Sequence, residues 1–133
     1  MSQKTASYES MKAEHAWMVV SDQLQQRNNV LGRCIAHLER FPAETRMAGR
    51  LMVLRYHLKM SLRQLTQSVH TTPRATDDAQ ILARQWQHVH QLFFLLRQID
   101  AEFNRATDDS ATLRTWLTTQ NSRVYRSALI HLN

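Results

Sequence analysis

Six basic residues are the side chains best suited to a chemical task in this chain, because they lie in a segment without carboxylates. Between Glu44 and Asp77 the sequence contains no acidic residue. It carries there six basic residues, namely Arg46, Arg50, Arg55, Lys59, Arg63 and Arg74. A guanidinium group donates two parallel hydrogen bonds to a phosphate or a carboxylate. The segment is therefore predicted to bind an anionic partner.

The spacing of these cations suits a row on a helix. Arg55, Lys59 and Arg63 are four residues apart and fall along one side of a helix, while Arg46 and Arg50 fall on the other flank. The net charge of the chain is +6, which is the number of cations in this segment, because the basic and acidic residues elsewhere cancel. Such a row can neutralise successive phosphates of a nucleic-acid strand and release their counterions, and Tyr56 among them could stack on a base. The same arginines could instead pair with carboxylates of an acidic helical protein, and the sequence leaves both alternatives open.

A second apolar face lies opposite the buried face of the same helix. Met52, Tyr56 and Met60 follow at intervals of four residues, on the side away from Met47. We expect this face to contact the third helix or another subunit. Self-association of the chain is one form that such a contact could take.

Signals for catalysis, metal binding or a cofactor are weak. Glycine occurs only at positions 32 and 49, so the chain cannot form a glycine-rich phosphate loop. His88 and His90 are two residues apart and point in different directions on a helix, and there is no Glu-x-x-His pair. Cys34 falls on an apolar helix face, where a buried structural thiol is expected. We therefore predict a protein that is not an enzyme, with no metal and no cofactor.

Cysteine content and hydropathy indicate the cellular compartment in which the protein is expected. Cys34 has no second cysteine with which to form an internal disulfide, which suits a reducing environment. No uncharged apolar stretch of about 18 residues is present, and the N-terminus lacks the apolar core of a secretory signal. The sequence thus predicts a soluble, cytoplasmic protein without a membrane partner.

The elements that position these residues are long helices. Residues 1–10 are polar and are predicted to be a flexible arm. A heptad repeat follows from about Met11 to Phe41, with Trp17, Leu24, Leu31 and Leu38 seven residues apart. Arg27 and Asn28 interrupt this stripe; they either set the register against a partner helix or mark a place where the stripe reaches solvent, and we favour the second interpretation.

Two further long helices and short C-terminal ones complete the chain. The second helix is predicted over 43–69 and the third over 78–105, with Asp77, Asp78 and Gln80 capping the third. A shorter helix over 110–119, capped by Asp108 and Asp109, follows, and a last helical turn or two is expected within 120–133.

These elements predict an all-α fold. Three long helices with short connections should form an elongated antiparallel three-helix bundle with one or two short C-terminal helices, as a single domain over residues 11–133. In size and charge the chain is similar to small helical subunits of CRISPR effector complexes and to replication-restart accessory proteins. The expected function is a non-enzymatic accessory subunit that binds the nucleic-acid backbone within a larger nucleoprotein assembly; the alternative is a protein–protein adaptor that uses the Arg-rich and Met/Tyr faces.

Overall fold

The described part of this protein folds into four α-helices. The computed structural model describes residues 2–71 and 77–120. The helices are α1 (Ser2–Leu38), α2 (Thr45–Thr71), α3 (Asp78–Asp109) and α4 (Ala111–Thr119), with a 3₁₀ turn at Pro42–Glu44 before α2. The predicted all-α class is confirmed. Within the described ranges, no helix is both long and apolar enough to cross a membrane.

The three long helices pack side by side in an up–down–up arrangement. Trp17 of α1 contacts His88 of α3, and further along both helices Arg27 contacts Asp100. α1 and α3 therefore run in the same direction. The tight connection over residues 39–44 reverses the chain, so α2 runs antiparallel to both, and the predicted bundle is confirmed.

The core follows the predicted apolar spacing. Leu24, Leu31 and Leu38 of the heptad stripe are fully buried, and Leu51 and Leu58 of α2 meet them. Cys34 lies among them, as predicted, and burial raises the pKa of its thiol to about 12. This thiol therefore stays protonated at neutral pH and is a structural part of the core.

α1 begins earlier than the sequence predicts. The helix extends back to Ser2, through residues 2–10 that we expected to be a flexible arm. This stretch contains no glycine or proline to stop a helix. The Lys12 ammonium lies 3.3 Å from a carboxylate oxygen of Glu9 and 4.4 Å from the ring centroid of Tyr8, which are contacts between neighbouring turns of a helix.

The helix caps agree with the prediction at one end of α3 and differ at the other. Oδ1 of Asp77 accepts a hydrogen bond from the backbone N–H of Gln80 at 2.7 Å, as predicted. The prediction that Asp108 and Asp109 cap the last helix is wrong, because α3 continues through Asp109. Ser110 caps α4 instead: its backbone is extended, and its hydroxyl oxygen accepts from the N–H of Leu113 at 3.1 Å.

The polar interruption of the α1 stripe is a buried ion pair. Arg27 is 4% exposed, and its Nε–H donates to Oδ1 of Asp100 on α3 at 3.2 Å. The interpretation that the stripe reaches solvent at Arg27 is therefore wrong, and the pair instead joins α1 to α3 in the interior of the bundle. Oδ2 of Asp100 is buried with no hydrogen-bond partner in the described part of the chain. Burial raises the pKa of Asp100, and Arg27 offsets only part of that rise.

α4 closes the end of the bundle at the α1–α2 turn. A carboxylate oxygen of Glu44 accepts a hydrogen bond from the Thr112 hydroxyl at 2.9 Å, and Leu113 is fully buried. The rings of His37 and Trp116 stack with their centroids 5.0 Å apart. The further helical turns expected within 120–133 fall on residues 121–133, which lie outside the described ranges.

Candidate functional site

The structure divides the predicted cations of α2 between the two flanks of that helix. Arg50 lies on the flank towards α3, where it contacts Asp109, and Arg46 lies one turn before it. Arg55, Lys59 and Arg63 lie on the flank towards α1. At 100° per residue, the centres of the two groups are about 160° apart around the helix axis. The spacing already predicts these two flanks, so the cations form two groups and not one strip. Arg74 lies outside the described residues.

The α3-side flank is partly neutralised. Nη1 of Arg50 lies 2.7 Å from Oδ2 of Asp109, so this cation is already paired within the protein. Arg46 is exposed and has no ion pair among the described residues, which include all 11 acidic side chains of the sequence. One of the two cations on this flank is thus available to a partner.

Arg55 ties two helices together instead of standing open to solvent. Its Nε–H donates to Oδ1 of Asn28 on α1 at 3.1 Å, and the side chain is half-buried. Its guanidinium lies against Gly32, where an added Cβ would be 2.9 Å from Cζ. Glycine at position 32 therefore makes room for the guanidinium across α1.

Lys59 and Arg63 line a groove of about 640 Å³ between α1 and α2. Both side chains are exposed, and neither forms an ion pair in the part of the chain that the structure describes. The α2 wall also contains Leu58, Leu62, Thr66 and Gln67. The α1 wall contains Trp17, Ser21, Gln25 and Asn28. We call this the α1–α2 groove. No carboxylate of the described residues lines it, so it suits an anionic ligand.

Sequence reasoning missed the α1 wall of this groove. The heptad spacing places Trp17 in the core. The structure shows this side chain half-buried against the core, with its ring contacting His88 at a centroid distance of 6.3 Å. The available signal was the set of small polar residues beside the apolar stripe. Ser21, Gln25 and Asn28 follow at intervals of four and three, which places them on one flank of α1.

A second groove, between α2 and α3, has a different chemistry. It has a volume of about 500 Å³, and Gln64, Gln87, Gln91 and Gln98 line it around Phe94. No lysine or arginine of the described residues lines it. Of these two grooves, the α1–α2 groove is therefore the better suited to a phosphate.

The apolar back face of α2 is open to solvent. Met52 is 45% exposed, Tyr56 66% and Met60 36%, and Val53 beside them is 71% exposed. We call these four residues the back-face stripe. These exposures leave the prediction as it was: the stripe contacts the third helix or another subunit.

Among the described residues, no group of three or more His, Cys, Asp or Glu side chains could hold a metal ion. No family model, no curated protein and no solved structure matches this chain.

Proposed function

We propose that this protein is a non-enzymatic helical bundle that binds the sugar-phosphate backbone of nucleic acid, as an accessory subunit of a larger nucleoprotein assembly. The observation that carries the proposal is the pair Lys59 and Arg63, exposed side by side without an ion-pair partner among the described residues. They are one helical turn apart on a segment with no acidic residue. Phosphate oxygens are strong acceptors for both side chains.

The number of available cations limits the strength of this interaction. Lys59 and Arg63 form one group, and Arg46 lies on the other flank, about 20 to 25 Å away along the axis at 1.5 Å per residue. We therefore expect two or three phosphate contacts, not the six to ten of a tight duplex binder. Binding of this kind is independent of sequence and suits a subunit that other components hold in place.

A salt titration of the full chain tests the proposal. Single-stranded and double-stranded oligonucleotides with a fluorescent label are titrated at 50 and 200 mM salt, and anisotropy is measured. Two or three contacts predict a log–log slope of about −1.4 to −2.7, so the affinity falls about 7- to 40-fold between the two salt concentrations. Undetectable binding at 50 mM, or binding that salt does not weaken, would contradict the proposal.

An adaptor function is the second candidate, and the back-face stripe favours it. Four neighbouring side chains that include two methionines and a tyrosine are exposed on one helix face. Methionine and tyrosine adapt well to apolar partner surfaces. In this function the stripe contacts the partner's apolar residues, and Arg46 and Lys59 on either side pair with its carboxylates. A chain that binds no oligonucleotide at 50 mM salt would leave this function as the better proposal.

A further inference from the structure

We infer that the α1–α2 groove takes a single strand of nucleic acid, with one base beside Trp17 and the adjoining phosphates on Lys59 and Arg63. This inference rests on the proposed function and specifies its ligand class, which is unpaired strands, and the location of the site. The site includes residues of α1 in addition to the predicted cations of α2.

The walls of the groove combine the groups that single strands require. Exposed Lys59 and Arg63 stand on the α2 wall, and the indole of half-buried Trp17 stands on the α1 wall. Single-strand binders combine a cationic groove with an aromatic side chain on which a base stacks. Gln25 and Asn28 supply amide groups that can donate to or accept from the edge of a base. In the part of the chain that the structure describes, no carboxylate lines the groove to repel the phosphates.

The dimensions of the groove favour an unpaired base. A volume of about 640 Å³ falls in the range of pockets that enclose small ligands. The bases of a duplex are stacked inside it, and reaching one requires the energy of unpairing. A duplex can therefore offer only phosphates to Lys59 and Arg63, whereas a single strand can also insert a base.

Neighbouring contacts hold the groove in shape. At one end the hydrogen bond from Arg55 to Asn28 joins the two walls at 3.1 Å. On α1 the ring of Trp17 lies edge to face with His88, with 77° between the ring planes. An aromatic ring fixed in this way loses little conformational entropy when a base stacks on it.

The test compares two single substitutions on adjacent residues of α1. Gln25 lines the groove, and Gln26, one position further, is exposed about 100° around the helix. Gln25→Glu places a carboxylate in the groove, and Gln26→Glu makes the same change of net charge outside it. We expect Gln25→Glu to weaken single-strand binding about tenfold, and Gln26→Glu to change it less than about twofold.

A third variant tests stacking. Trp17→Leu keeps an apolar side chain but removes the aromatic face. We expect its affinity for a single-stranded oligonucleotide to fall between about 5- and 150-fold, while its affinity for a duplex changes less than about twofold. Circular dichroism checks that the variant keeps its helices; if it does not, the comparison of Gln25→Glu with Gln26→Glu decides.

The outcomes separate this inference from the proposed function. The groove inference is overturned if Gln25→Glu and Gln26→Glu bind single strands with equal affinity and the wild-type chain binds single strands no more tightly than duplex. Salt-dependent binding of both oligonucleotides would in that case still support the proposed function. If the wild-type chain binds neither oligonucleotide at 50 mM salt, both proposals fail.

Discussion

Reversal of the two charges in the α1–α2 groove is expected to weaken nucleic-acid binding at least about tenfold at 50 mM salt. The variant Lys59→Glu/Arg63→Glu removes two phosphate contacts and replaces them with two repulsions. Each lost contact reduces the log–log salt slope by about 0.7 to 0.9, so the slope should become shallower by about 1.4 to 1.8. The loss should be the same for every oligonucleotide sequence, because the contacts are with phosphates.

The matched control reverses two cations elsewhere on the surface. Arg40 and Arg97 are exposed, and neither has an ion-pair partner among the described residues. Arg40→Glu/Arg97→Glu makes the same change of net charge at sites away from the groove. We expect this control to lose less than about threefold in affinity, since only long-range screened electrostatics are altered. Equal losses in the two double variants would show that net charge, not the groove, governs binding.

The variant Arg27→Met is expected to lose about 3 to 5 kcal/mol of stability at neutral pH. It leaves the carboxylate of Asp100 buried between the helices without the cation that lies 3.2 Å away in the wild type. Chemical unfolding followed by circular dichroism measures the change. A loss of less than about 1 kcal/mol would contradict the role assigned to this pair.

The pH dependence of this loss provides a second check. Burial already raises the pKa of Asp100, and without Arg27 this pKa should rise further. An acid with a raised pKa in the folded state contributes stability below its unfolded pKa of about 3.9 and loses it as the pH rises through the folded value. The deficit of Arg27→Met relative to wild type should therefore shrink as the pH falls from 7 towards 4.

The double variant Arg27→Met/Asp100→Leu is the control for this prediction. It removes both charges and fills the space with apolar atoms, which in other proteins is neutral or stabilising by about 1 to 4 kcal/mol. We expect it to recover most of the stability that Arg27→Met loses. A double variant as unstable as the single one would indicate that packing around position 27, and not charge, is responsible.

The helices and most of the core could be predicted because their signals are local. The seven-residue spacing of Leu24, Leu31 and Leu38 and the positions of Leu51 and Leu58 define buried faces by themselves. The Asp77 cap could also be predicted, since the residue and its partner Gln80 are three positions apart. The observed start of α1 differs from the predicted one because a polar stretch without periodicity carries no helix signal of its own.

The environments of individual charged residues could not be predicted, because they depend on partners far away in the sequence. Arg55 and Lys59 belong to the same four-residue row, yet a rotation of about 40° turns Arg55 towards Asn28 and leaves Lys59 exposed. Arg27 is buried because Asp100, which is 73 positions further along the chain, lies opposite it. Pairing of this kind follows from the register between helices, which the sequence of one helix does not specify.

Nucleic-acid binding in the α1–α2 groove is tested most directly by NMR. The full ¹⁵N-labelled chain is titrated with a short single-stranded oligonucleotide at 50 mM salt, and the changes in amide chemical shift are mapped. The account predicts that the largest shift changes cluster at Ser21, Asn28, Lys59 and Arg63, on the two walls of one groove, and that the back-face stripe changes little. Changes confined to Met52, Tyr56 and Met60, or no changes at any residue, would contradict it.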